Sequence, residues 1–186
     1  MATEKVLTPK FRVSFPAVFV PRAAMDGAEP KYSVVMLFPK TADLSKLKAI
    51  AKQALVEKWG DKIPKDLRSP FRDGNEKELD GYADCIFITA SSKMKPGLVD
   101  GQKQEIISAD EFYAGCYARA TVNAYAYDRN GNRGVSFGLQ NIQKLEEGEP
   151  FSGRTRPEDD FDAIGEPSNS QAPVAKATPT AKDFFD

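Results

Sequence analysis

The sequence predicts a mainly β protein: a small barrel with one or more helices, a long C-terminal hairpin and an acidic tail. Three observations predict it. Residues 116–127 alternate without exception. The even positions are Cys116, Ala118, Ala120, Val122, Ala124 and Ala126, and the odd ones Tyr117, Arg119, Thr121, Asn123, Tyr125 and Tyr127. Period-2 alternation marks a strand with one buried face. Turn residues follow in DRNGNRG, and Val135, Phe137 and Leu139 resume the alternation, which gives a hairpin with a loop of about five to seven residues. From Glu146 onward the composition changes to Gly, Pro, Ser, Ala and acid, which buries too little to order itself.

The hairpin strand is long. About twelve residues at ~3.3 Å each exceed the usual five or six. Strands of that length bend around small barrels, and Gly115, Gly134 and Gly138 are placed to allow bending. Upstream, KFRVSFPAVFVPR (Lys10 to Arg22) sets Phe11, Val13 and Phe15 against Lys10, Arg12 and Ser14, a strand with one apolar and one basic face. Pro16 and Pro21 bend it or hold it at an edge. KYSVVMLF (Lys31 to Phe38) is almost continuously apolar, as in a strand covered on both faces.

Leu44, Leu47, Ile50, Ala51, Ala54 and Leu55 recur at helical spacing with lysines opposite. Thr41 or Asp43 serves as N-cap and Gly60 as the residue past the C-terminus. Residues 61–81, rich in Pro, Gly and charge, read as a solvated loop. With Lys62, Lys65, Arg68, Phe71 and Arg72 among them, a flap over nucleic acid is the alternative. YADCIFITA (Tyr82 to Ala90) is another strand. A basic turn with Lys93 and Lys95 follows it, then a short extended piece at Glu105 to Ser108. Five strands and one helix fit an OB-fold-like five-stranded barrel. The helix, however, follows the second strand, whereas an OB helix usually follows the third.

Composition bounds the chemistry. There is no histidine, which removes the commonest zinc ligand and the Ser-His and Cys-His nucleophile systems. Cys85 and Cys116, in strand-like segments, read as buried reduced thiols. No apolar run reaches the ~20 residues of a membrane span, and the first residues lack a signal-peptide core. The net charge of −1 divides into +5 before Glu146 and −6 from Glu146 onward.

The odd face of the hairpin strand is unusual for a solvated surface. It carries three tyrosines and an arginine and no carboxylate, with Arg129 and Arg133 at its tip. Flat rings and cations together suit single-stranded nucleic acid, where bases stack and phosphates seek positive charge. Tyrosines lying under a helix or loop with their hydroxyls at the rim are the other reading. On these grounds the candidate nucleic-acid-binding residues are Tyr117, Arg119, Tyr125, Tyr127, Arg129 and Arg133, joined by Lys10, Arg12, Lys93 and Lys95.

The stretch FYAGCYARATVNAYAYDRNGNRGVSFGLQNIQKLEEGEPFSGRTRPEDDF resembles the C-terminal half of a bacteriophage family of ancillary single-stranded DNA-binding proteins. The likeness extends back to KFRVSFPAVF, and the FYAGCY and GVSFGLQNIQK segments are its most specific parts. The resemblance implies an OB-type fold and sequence-independent binding of single strands in phage replication, recombination or repair. It also implies an acidic tail ending in aromatic residues. Here Asp183, Phe184 and Phe185 fit, but Asp186 follows them, so a partner pocket that needs a terminal Phe carboxylate is not matched.

The expected organisation is a binding domain over residues 1–150 and a flexible acidic tail over 151–186. Asp159, Asp160, Phe161, Asp183, Phe184, Phe185 and Asp186 are the tail's candidate contacts for replication or recombination proteins. No cofactor, metal or membrane is called for, the location is the host cytoplasm, and self-association along DNA is compatible with the reading. Two other classes stand against it. A metal-dependent nuclease needs converging carboxylates, but Asp80, Asp84, Asp100, Glu105, Asp110 and Glu111 lie mostly at strand ends or in loops. A virion assembly protein suits long hairpins but leaves the tyrosine-arginine face unused.

Overall fold

The computed structural model describes residues 3–151, 161, 163 and 164. The chain forms two units, 1–154 and 155–186, and the fold below is that of the first. In order it contains β1 (Val6–Leu7), β2 (Phe11–Arg22), β3 (Lys31–Pro39), α1 (Ser45–Trp59), β4 (Arg72–Asp73) and a 3₁₀ turn (Gly74–Glu76). β5 (Cys85–Ser92), β6 (Gly97–Val99), β7 (Tyr117–Arg129) and β8 (Asn132–Glu146) complete it.

The five long strands close a ring. β7 pairs with β2, β2 with β3, β3 with β5, β5 with β8, and β8 returns to β7. Counting only the long strands, the order around the ring is 1-2-3-5-4, with the third and fifth parallel and the other pairs antiparallel. This is a five-stranded OB-type barrel. The short strands are additions: β1 extends β2's path along β7, β4 pairs with β5, and β6 lies parallel to β8.

Alternation sorts the residues as the sequence predicts. Cys116, Ala118, Ala120, Val122 and Ala124 are buried and face Phe11, Val13, Val34, Met36, Phe38, Ile88, Phe137 and Leu139 across the barrel. Each fully buried Val, Leu or Phe contributes about 1.5–3 kcal/mol. The alanines leave room for those larger partners. β3 is covered on both faces: Leu37 and Val35 look outward into a second cluster with Tyr82, Phe87 and Phe151. α1 adds Leu47, Ile50, Ala51 and Ala54 to the main core, joined by Leu44 just before it.

Several details differ from expectation. The hairpin loop is a two-residue turn, Asn130-Gly131, with φ of 53° and 86°. Positive φ at both central residues is the type I′ signature, whose twist matches that of the flanking strands. Asp128 and Arg129 therefore belong to β7, and Asp128 sits opposite Arg133. Leu44 is the helix N-cap and makes no side-chain cap bond. Asp43 Oδ1 instead accepts from the backbone N–H of Ser45 at 3.0 Å, and Gly60 (φ 57°) ends the helix.

β5 starts at Cys85 rather than Tyr82. Tyr82 lies in the preceding turn, its hydroxyl sharing a 2.8 Å hydrogen bond with Ser14. Glu105 makes only an isolated bridge to Val99. Cys116 is buried as expected, but Cys85 is only half-buried, its thiol facing the Gly81 carbonyl at 3.4 Å. Burial pushes both thiols above the ordinary range, so the reactive thiolate is disfavoured at neutral pH. Phe15, expected beside Phe11 and Val13 in the core, has a φ of 42° and is 58% exposed. A bulge between Ser14 and Ala17 shifts the register there, because Pro16 cannot donate to the ladder.

Candidate nucleic-acid interface

Register decides which side chains share the outer face of the barrel. Val35 lies opposite Thr89, Ser33 opposite Ser91, Ser91 beside Gly138, Asn123 opposite Gly138 and Tyr125 opposite Ser136. Because neighbours alternate, all of these point away from the buried Val34, Ile88, Ala90, Phe137 and Ala124. The outer face of β3, β5, β8 and the tip of β7 is thus paved with Ser, Thr, Val and Gly and edged by Tyr125 and Tyr127. Small side chains leave a shallow surface over which an extended chain can lie.

The Arg68–Arg72 segment walls one side. The Arg68 backbone N–H donates to the Arg133 carbonyl (2.9 Å), and its carbonyl accepts from Val135 N–H (3.4 Å), fixing the segment to the hairpin tip. Gly134 permits this approach: a Cβ there would lie 2.7 Å from the Arg68 carbonyl oxygen and 2.8 Å from the Tyr127 hydroxyl. Between segment and barrel is a cavity of about 520 Å³ lined by Arg68, Ser69, Pro70, Arg72, Thr89, Tyr127, Val135 and Ser136. The Arg72 guanidinium carbon lies 5.1 Å from the centre of the Phe87 ring, a cation–π distance. Two arginines and a tyrosine ring therefore converge on one open cleft.

Further charge gathers at the tip end of this face. Lys93 Nζ pairs with a Glu29 carboxylate oxygen at 2.9 Å. The Lys93 ammonium holds the Glu29 carboxyl below its usual range, first by hydrogen bond and then by charge, with smaller contributions from Lys31 and Arg129. The β2–β3 loop, the end of β5 and the hairpin tip thereby bring Lys31, Lys93 and Arg129 around a single acid. In OB folds the loop between the first two strands and the loop between the last two frame the binding face. Arg133 is more committed, with Nε 3.0 Å from Asp128 and an Nη 4.0 Å from Asp66.

The predicted residues do not form one patch. Tyr125, Tyr127, Arg129, Arg133 and Lys93 gather at the hairpin tip. Tyr117, Lys10 and Arg12 gather at its base, where Tyr117 pairs with Glu146. Eight residues of strand from Tyr117 to Tyr125 put roughly 26 Å between the two groups. At the base, Lys10 Nζ and the Arg12 guanidinium lie 5.4 and 5.8 Å from the Tyr117 ring centre. Arg12 donates to the Gly115 and Glu149 carbonyls at 3.1 and 2.7 Å and stacks on Phe151 at 4.1 Å. Lys10 pairs with Glu146 at 3.4 Å.

Arg119, midway, donates to the Gln143 side chain at 2.8 Å. Lys95 lies 6.0 Å from the Phe19 ring centre. Phe161 is exposed, whereas Asp159, Asp160, Asp183, Phe184, Phe185 and Asp186 lie outside the described residues. Among the described residues no cluster of three or more Cys, Asp or Glu is placed to hold a metal, and no helix is long and apolar enough to cross a membrane.

The list drawn from the sequence omitted Arg68, Arg72, Thr89, Ser136 and Lys31. Only Arg68 and Arg72 carried a signal, the basic Arg-Ser-Pro-Phe-Arg run, which also reads as a solvated loop.

A family model described as the ssDNA-binding protein of Enterobacter phage Enc34 matches residues 4–172. The chain belongs to that family. Protein p50 of Acyrthosiphon pisum secondary endosymbiont phage 1 is 34% identical over 161 residues, which cover 80% of this chain and 87% of that one. The Enc34 protein, solved in complex with single-stranded DNA, shares the fold with a TM-score of 0.68 at 24% identity, over 79% of this chain and 89% of that one. Gp2.5, a single-stranded DNA-binding protein of bacteriophage T7, shares it with a TM-score of 0.59 at 12% identity, over 91% of this chain and 98% of that one. The resemblance read from the FYAGCY and GVSFGLQNIQK segments is thereby borne out at the level of family, and the barrel at the level of fold.

Proposed function

We propose that this protein is a non-catalytic, sequence-independent binder of single-stranded DNA, acting in phage replication, recombination or repair within the host cytoplasm. The observation that carries the reading is the convergence of Tyr127, Arg68 and Arg72 on one open cleft of the barrel's outer face. A ring for stacking and guanidinium groups for phosphates, with no acid in the lining, is the minimum equipment for a single strand. The paving of Ser, Thr and Gly offers no fixed pattern of donors and acceptors for one base over another. Family membership supports the same reading.

The binding domain is assigned to residues 1–150 and the tail to 151–186, with Phe151 packed against the body through Arg12. Seven acids against four bases give the tail a net charge of −3, the sign of phosphate, so it competes with DNA for the body's cations. Its acidic and aromatic ends at Phe161, Phe184 and Phe185 suit a partner protein with a basic rim and an apolar pocket. Titration of the full chain with fluorescent single- and double-stranded oligonucleotides tests the function. Saturable binding of single strands of unrelated sequence, much tighter than of duplex, is expected. Equal affinity for duplex, or none for either, rejects the proposal.

A further inference from the structure

We propose that the strand's path does not end at the Arg72 cleft but crosses the sheet to a second base-stacking site built on Phe15. This inference rests on the proposed function and extends it to a residue outside the cleft already described. A second cavity, of about 500 Å³, lies on the outer face, lined among others by Phe15, Pro16, Arg22, Tyr82 and Phe151. Its lining is mostly apolar, with Arg22 as its cation and Asp80 as its one acid.

The two cavities are neighbours. Arg72, in the wall of the first, stacks 5.1 Å from the Phe87 ring centre, and Tyr82, in the wall of the second, meets the same ring edge-on at 5.5 Å. Register agrees: Thr89 of the first cavity lies opposite Val35, and Val35 lies opposite Ser14 of the second. Two strand spacings of ~4.8 Å separate them. The surface between is Val35, Ser33 and Ser91, low enough for a strand to cross.

Phe15 itself is the second observation. It is a large aromatic ring, 58% exposed, in a backbone conformation with φ of 42° that disfavours any residue with a Cβ. Its ring leaves the core that Phe11 and Val13 enter and takes a place at the cavity mouth instead. Strain held at an exposed ring points toward use. The occupant is a nucleobase of the bound strand: the apolar floor takes the base's face, Arg22 takes a phosphate, and Asp80 keeps the backbone to the Arg22 side. Binding sites of about 4–16 nucleotides per OB fold leave room for both cavities on one strand.

The test uses the full chain and thymidine oligonucleotides of increasing length. Phe15→Ala is expected to weaken binding of long oligonucleotides about five- to a hundredfold, the range of one stacked base. It should leave the shortest ones, which fill only the Tyr127 cleft, unchanged. Tyr127→Ala should weaken both. Phe15→Gly gives the same binding loss with a raised melting temperature, because glycine relieves the positive φ; this separates a binding defect from a folding defect. In Phe15→Trp, long oligonucleotides should quench the new indole and short ones should not. Unchanged affinity of Phe15→Ala at every length, with Tyr127→Ala impaired, overturns the second site and leaves the proposed function standing. Absence of single-strand binding by the unaltered protein overturns both.

Discussion

Phosphate contact and base stacking predict different responses to salt, and the cleft contains candidates of both kinds, Arg68 and Arg72 for phosphate and Tyr127 for stacking. Around the tip face, Arg68, Arg72, Arg129 and Lys31 make no ion pair among the described residues, whereas Lys93 and Arg133 do. Four neutralised phosphates at about −0.7 each give a log–log salt slope near −3 for a single strand. From about 50 to 200 mM salt that is a loss of roughly sixtyfold. Arg72→Gln removes one cation but keeps a planar group against Phe87, so the slope should fall to about −2 with the melting temperature nearly unchanged. Tyr127→Ala should lower affinity by about 1–3 kcal/mol at every salt concentration and leave the slope alone. Fluorescence anisotropy of a labelled oligonucleotide, titrated at five or so salt concentrations, measures both quantities at once. If Arg72→Gln shifts the intercept and not the slope, Arg72 does not meet phosphate and the cleft has been read wrongly.

Glu29→Gln should release Lys93 and relieve Lys31 and Arg129 of a competitor, raising single-strand affinity and steepening the slope by about 0.7. Because its carboxyl lies below the ordinary range, Glu29 is ionised at neutral pH. The Lys93 pairing is present above the ordinary carboxylate pKa and is lost as pH falls through the lowered one, so the advantage of Glu29→Gln should vanish in acid. Gly131→Ala forces a Cβ into a φ of 86° and should destabilise the fold by roughly 1–2 kcal/mol in chemical denaturation, with DNA affinity of the folded protein retained. Truncation after residue 157 removes seven acids against two lysines and should raise single-strand affinity, most at low salt where screening is weak. Equal or lower affinity of the truncated chain at low salt would count against competition by the tail.

The barrel was legible where a single period governs a segment. Residues 116–126 alternate small apolar with polar because β7 lines a closed interior, and nothing else in the chain competes with that pattern. The helix was legible for the same reason at its own period. The turn is shorter than its composition suggests, because Asp128, Arg129, Asn132 and Arg133 are residue types common in loops. They are strand residues, Arg129 opposite Asn132 and Asp128 opposite Arg133, the last two joined by an ion pair at 3.0 Å. The helix's position after the second long strand fixes its place as a departure from the usual OB order, and no missing ring strand lies in residues 61–81. β4 in that segment is two residues long and adds to β5 outside the ring.

The interface was legible only in part, and the reason is distance along the chain. Tyr117, Tyr125 and Tyr127 share a face by period, but the face is longer than the site. Its base is occupied by Lys10, just before β2, and Arg12 in β2, while its tip opens onto a cleft whose wall comes from Arg68 and Arg72. Arg68 acquires its place from backbone bonds to Arg133 and Val135, some sixty-five positions away, and Arg72 from its pairing with Phe87 in β5. A local pattern cannot report a contact of that separation. Phe15 shows the same limit within a strand: alternation assigns it to the core, and one bulge, imposed by the proline after it, turns it out. The ring that period-2 reasoning buries most readily is thus the one the folded chain leaves exposed beside Arg22. For that reason the length dependence of Phe15→Ala is the measurement that best separates what the register dictates from what the alternation suggests.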